Sequence, residues 1–166
     1  MGHRGDGWAF VGGGGVDDSG NGWYLSGEYE HAVDEKGRVT LPSRMREALG
    51  EAVFVTRGLD GCLFVFSPER WMDITRHVGQ LPVTKRSARV LSRMVFAGTR
   101  CDVDKAGRIL LPAGLRRFAG IGDQVVVVGV EDRAELWAPD RWERVMSVLC
   151  DGEDEQVTRE WETLDL

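Results

Sequence analysis

Cysteine is scarce in this 166-residue chain, and long apolar runs are missing. Cys62, Cys101 and Cys150 are odd in number, widely separated and without a C-x-x-C pair, so neither a disulfide framework nor a zinc site is indicated. They read as reduced packing residues. No apolar stretch approaches the roughly 18 residues a spanning helix needs. The opening "MGHRGDGWAFVGGGG" lacks the uninterrupted apolar segment of a signal peptide. The expectation is a cytosolic protein without a membrane partner. Catalytic patterns are missing too: there is no Ser, His and Asp set, and "GGGG" has neither a strand before it nor a helix after it. His31 and His77 read as ordinary surface or packing residues. No cofactor, metal or small-molecule substrate is expected.

What the chain does have is segregated charge. The net charge of −6 argues against a nucleic-acid partner until it is mapped along the sequence. Residues 1–33 carry 1 base and 5 acids, residues 34–117 carry 16 and 9, and residues 118–166 carry 4 and 13. Within 74–117 there are 10 Lys or Arg against 2 acids, the polarity of a local phosphate-facing surface. Charge alone favours a solvated basic helix with acidic tails over that reading.

A repeat makes the basic region more specific. "VDEKGRVTLP", from Val33 to Pro42, returns as "VDKAGRILLP", from Val103 to Pro112. The fixed positions are Asp34, Gly37, Arg38, Leu41 and Pro42, matched by Asp104, Gly107, Arg108, Leu111 and Pro112. Glu35-Lys36-Gly37 fits a type I turn closed by a left-handed glycine, with Asp34 accepting from the turn amides. This register sets Asp34 opposite Arg38. An exposed ion pair contributes only about 0–1 kcal/mol, so the turn explains the Asp and Gly better than the Arg. The arginines are left as clamps, ligand contacts or both.

Each repeat then continues in the same order. "PSRMREALG" and "PAGLRRFAG" read as short helices, with Met45, Ala48 and Leu49 matched by Leu115, Phe118 and Ala119, and Arg46 by Arg116. Strand pairs follow, then helices opening at Pro68 and Pro139, where Trp71 and Trp142 are expected as core anchors. The expected fold is α+β: two pseudo-symmetric β-β-α-β-β-α units packed together and joined by a helix. Units of about fifty residues are marginal alone. The organisation expected is a disordered N-terminal arm over 1–23, a first unit over 24–78, a basic linker helix over 79–96, a second unit over 97–150 and an acidic tail over 151–166. In the linker, Val90, Leu91, Met94 and Val95 are expected to face inward. The tail has Trp161 and Leu164 as its large apolar residues and is read as either frayed or docked.

The duplicated D-x-x-x-R motif followed by L-P and a short helix resembles the MraZ family. The likeness runs from about Tyr24 to Leu149 through "GEYEHAVDEKGRVTLP", "TRGLDGCLFVF", "DVDKAGRILLPAGLRRFAG" and "VVVVGVEDRAELW". It implies a bacterial transcriptional regulator with two SpoVT-AbrB-like domains, acting in the cytoplasm and nucleoid on the promoter of the division and cell-wall gene cluster that holds its own gene. It further implies a ring-shaped homo-oligomer on short G-rich direct repeats in double-stranded DNA. Linked weak modules gain affinity because the second contact is intramolecular, and an Arg in a groove can read guanine O6 and N7. Carried over, Arg38 and Arg108 would touch DNA, while Asp34, Gly37, Asp104 and Gly107 would shape the turns and orient them. Lys36 and Lys105 are phosphate candidates, and Arg44 and Arg46 are read either as further DNA contacts or as a solvated helix face. Two departures stand out. About twenty residues precede "WYLSGEYEH", consistent with an upstream start or an arm, and Lys36 and Thr40 become Ala106 and Leu110 in the second copy, so the two hairpins need not bind equally.

Three rival readings remain at this stage: an AbrB-like antitoxin whose acidic tail holds a toxin, a structural ring without nucleic acid, and an enzyme using Asp34 and Asp104 as an acid and base pair. The last requires two shielded carboxyls close together. An Asp facing an Arg at a turn is held ionised instead.

Overall fold

The computed structural model describes residues 25–151 and 154–164, so the arm expected over 1–23 lies outside the described residues. The first half runs β1 (Glu28–Ala32), β2 (Arg38–Thr40), α1 (Ser43–Leu49), β3 (Ala52–Arg57), β4 (Leu63–Phe66) and α2 (Pro68–Gly79). After α3 (Arg86–Phe96) the order repeats as β5 (Thr99–Asp102), β6 (Arg108–Leu110), α4 (Ala113–Ala119), β7 (Gln124–Val130), β8 (Arg133–Trp137) and α5 (Pro139–Asp151), followed by α6 (Glu155–Glu162). The α+β class and the β-β-α-β-β-α repeat are as the sequence predicts.

The halves interleave. One six-stranded antiparallel sheet has the order β1-β7-β8-β4-β3-β5, and β2 pairs with β6 in a separate ribbon. Thus β1 of the first copy lies along β7 of the second, with Glu28 opposite Val128, and β5 of the second lies along β3 of the first. Between β1 and β2 only the bridge Val33–Val39 remains at the turn.

Alternation along the strands divides the core in two. Val53, Val55, Leu63, Val65, Val125, Val127, Ala134 and Leu136 face the ribbon's Val39 and Ile109 and the inner sides of α1 and α4, Met45, Leu49, Leu115 and Ala119. Burying each large aliphatic side chain contributes about 1.5–3 kcal/mol, so this layer fixes the ribbon on the sheet. The opposite face carries Phe54, Phe64, Val126, Val128 and Trp137 and is covered by α2, α3 and α5. Cys62 and Cys101 are buried, which pushes their thiols up to about 12 and about 11, the value expected of packing residues; the Glu135 carboxylate adds to the first.

Several local expectations are corrected. The linker helix begins at Arg86 rather than at residue 79, because Pro82 supplies no amide donor and a turn from Pro82 to Lys85 precedes α3. Its inward stripe is Ala88 and Val95, while Val90 is 52% and Leu91 40% exposed. Phe118 is exposed and lies against Arg57 instead of in the core. Trp71 and Trp142 are half-buried: the first stacks on Phe54 at 4.1 Å, and the second leans on Trp137 and donates to Glu28 at 2.7 Å. In the tail, Asp154 accepts the Gln156 and Val157 amides and starts α6, an exposed helix.

Candidate nucleic-acid interface

Each turn is built from its own aspartate. Asp34 Oδ1 accepts the Lys36 and Arg38 amides at 3.0 and 2.8 Å, and its backbone oxygen accepts the Gly37 amide at 2.9 Å. Asp104 does the same for Ala106, Arg108 and Gly107, all at 2.9 Å. Gly37 and Gly107 have φ of 85° and 79°, where a side chain is strained. The second carboxylate oxygen then orients the arginine: Arg38 Nε donates to Asp34 at 2.5 Å, and Arg108 Nε to Asp104 at 2.9 Å. Both carboxyls are held below the usual aspartate value, chiefly by the arginine backbone amides and then by the guanidinium contacts. They are charged acceptors, which suits orientation and not proton donation.

The ribbon brings the two turns together. Arg38 is opposite Leu110, Val39 opposite Ile109, and Thr40 opposite Arg108. Leu41 donates to Gly107 and Leu111 to Gly37, closing the ribbon at both ends. With Val39 and Ile109 turned into the core, Arg38, Thr40, Arg108 and Leu110 share the outer face. Arg108 Nη1 also lies 3.9 Å from Asp34 Oδ2, linking one copy to the other.

Other residues fall into distinct places. Lys36 and Lys105 are exposed at the turn tips, and Arg44 is exposed on α1. Arg46 reaches across to the other copy, where its guanidinium lies so close over Gly107 that an added Cβ would overlap it. Arg116 mirrors this over Gly37, 2.7 Å from where a Cβ would stand. Both Nε atoms are buried and lack a hydrogen-bond partner. Arg46 is thus placed as a brace under the second turn. Sequence reading paired it with Arg116 but had no means of seeing that each supports the opposite copy.

A second basic feature depends on the folded arrangement of distant segments. An open groove of about 600 Å³ beside the first turn is lined by Lys36, Arg100, Asp102, Leu110 and Arg116 among others, and Arg117 lies in the adjoining hollow. At the corresponding positions of the first copy stand Glu30 for Arg100 and Glu47 for Arg117. The backbone repeat is closely symmetric, but its charge is not.

A family model described as "MraZ protein, putative antitoxin-like" matches twice in succession, over residues 24–94 and 94–160. The chain belongs to the MraZ family. Among MraZ relatives, a protein named "Transcriptional regulator MraZ" from Caldicellulosiruptor saccharolyticus is 48% identical over 124 residues, covering 74% of this chain and 87% of its own. Those of the same name from Roseiflexus sp. and Heliobacterium modesticaldum are 45% and 48% identical, covering 74% and 71% of this chain and 87% and 83% of theirs. The chain is therefore placed among the MraZ transcriptional regulators. Among the described residues no helix is long and apolar enough to cross a membrane, and no three His, Cys, Asp or Glu cluster as metal ligands would.

Proposed function

We propose that the protein is a non-enzymatic regulator that binds double-stranded DNA through the outer face of the β2–β6 ribbon. The observation that carries this reading is the convergence of two aspartate-oriented arginines, from sequence positions seventy apart, on one ribbon. A two-stranded ribbon fits a major groove about 12 Å wide, and an arginine presented there can donate two hydrogen bonds to guanine. Arg38 and Arg108 read bases; Lys36, Lys105 and Arg44 neutralise phosphates. Arg46 and Arg116 hold the turns in shape beneath them.

In this reading the two AbrB-like units of one chain form one reading head, and a ring of copies sets several heads along short G-rich direct repeats. The target is the promoter of the protein's own gene in the division and cell-wall cluster, and the protein works at the nucleoid. The test is a mobility-shift titration against DNA from immediately upstream of that gene, with scrambled competitor. A complex that survives the competitor is expected. Arg38→Ala with Arg108→Ala should keep the assembly and weaken the complex. It should also relax the preference for the promoter over scrambled DNA, as the loss of base-reading arginines requires, with a smaller change in salt slope. Unchanged affinity and slope in that variant would remove the arginines from the interface.

A further inference from the structure

Two surfaces of the chain are amphipathic, exposed and opposite in charge. Residues 74–101 hold 6 Lys or Arg and no acid, whereas residues 151–166 hold 7 acids and one Arg. On α3, Val90 sits between Arg86 and Arg93 on one exposed stripe, as spacings of four and three residues require. Val83, 76% exposed, and Leu91 lie close by in sequence. On α6, Val157 and Trp161 line one side at helical spacing, with Leu164 two residues past the helix end, Trp161 65% exposed and Glu160 bordering them.

The basic face of α3 is separate from the arginine ribbon. α2 and α3 cover the sheet face that carries Phe54, whereas the ribbon covers the face that carries Val53 and Val55. DNA held at the ribbon leaves α3 without a partner. Nor is α6 of the same chain well placed to fill the role. α5 packs on β7, α2 on β4 and β3, and α3 on β3, so α2 stands between α5 and α3. Trp161 is 65% and Leu164 52% exposed, so α6 is not seated on its own chain.

We propose that α6 of one copy docks on the α3 face of a second copy, with Trp161 seated beside Val90 and Leu91, and Glu160 and Glu162 facing Arg86 and Arg93. The contact is heterologous: each copy offers one helix and receives another, the arrangement that closes into rings. The proposal rests on the reading that copies assemble, and it is independent of which DNA they bind. An exposed tryptophan bordered by acids is the kind of anchor that dominates such an interface.

Native mass spectrometry and light scattering of the full chain test it. Trp161→Glu, and separately Arg86→Glu with Arg93→Glu, should each raise the concentration needed for assembly by about tenfold or more. Arg89 is left in place because it holds the Val83 and Thr84 carbonyls. Mixing the two variants is the decisive arm, because one retains an intact α3 face and the other an intact α6. A one-to-one pair that grows no further is expected. Adding Glu160→Arg and Glu162→Arg to the α3 variant should restore assembly, and circular dichroism should show every variant folded. Assembly of the variants at wild-type concentration, or no pairing on mixing, overturns the docking while leaving assembly intact. A monomeric wild type overturns both.

Discussion

The carboxylate of Asp34 lies 2.5 Å from Arg38 Nε and 3.9 Å from Arg108 Nη1, so one side chain of the first copy faces the arginines of both. Asp104 meets the Arg108 of its own turn, at 2.9 Å. The two aspartates therefore differ in effect. Asp34→Asn keeps the shape and an acceptor oxygen but removes the charge facing both guanidinium groups, and should weaken DNA binding more than Asp104→Asn. Stability should change little in either case, because the pairs are partly exposed and screened by solvent. Equal losses in parallel titrations would show that the cross-copy contact is without consequence.

Gly107→Ala should destabilise the fold by about 1–3 kcal/mol, since it forces a side chain into positive φ and displaces the Arg46 guanidinium. Gly50→Ala, also at positive φ but with open space around it, isolates the backbone part. Urea midpoints of the two variants give the difference. A Gly107 variant no weaker than the Gly50 variant would mean that the Arg46 brace yields freely.

The groove beside the first turn predicts lopsided binding. Arg100→Glu, which copies the residue at the matching site, should weaken the DNA complex and flatten its salt dependence. Glu30→Arg, made on the other flank, should strengthen it. Equal and negligible effects would confine the footprint to the ribbon.

Acid should act in two stages. Burial lowers the pKa of His31, so the folded state favours the neutral ring. The stability this gives is complete above about pH 6.5 and declines as pH falls below that, because the unfolded chain takes up the proton first. The turn aspartates are also lowered, by the arginine amides first. Their contribution is present above about pH 4 and is lost as pH falls through their depressed folded values. His31→Gln should remove the first stage and Asp34→Asn part of the second, read as urea midpoints between pH 8 and pH 3.

The turns were legible in the sequence because each closes within five residues, from Asp34 to Arg38, and needs only a glycine and a short acceptor. Strand partners were not. "EYEHA" alternates in a way that suits β2 or β7 equally, and only packing of the whole sheet decides for β7. The same holds for the site. Arg38 and Arg108 stood out by repetition, but their meeting on one ribbon, and the support from Arg46 and Arg116 of the opposite copies, depend on that exchange. In α3, four apolar residues suggested a wide buried stripe, whereas small Ala88 lets the helix sit on a narrow one and leaves Val90 outside.

Interleaving also governs how the chain is made. β1 is complete early in synthesis, but Glu28 finds its partner at Val128, a hundred residues later. At about 5–20 residues per second the ribosome needs about 5–20 s to supply that partner. For that interval the newborn segment presents an unsatisfied strand edge, a point where chaperones or neighbouring nascent chains can take hold before the correct seam is sealed.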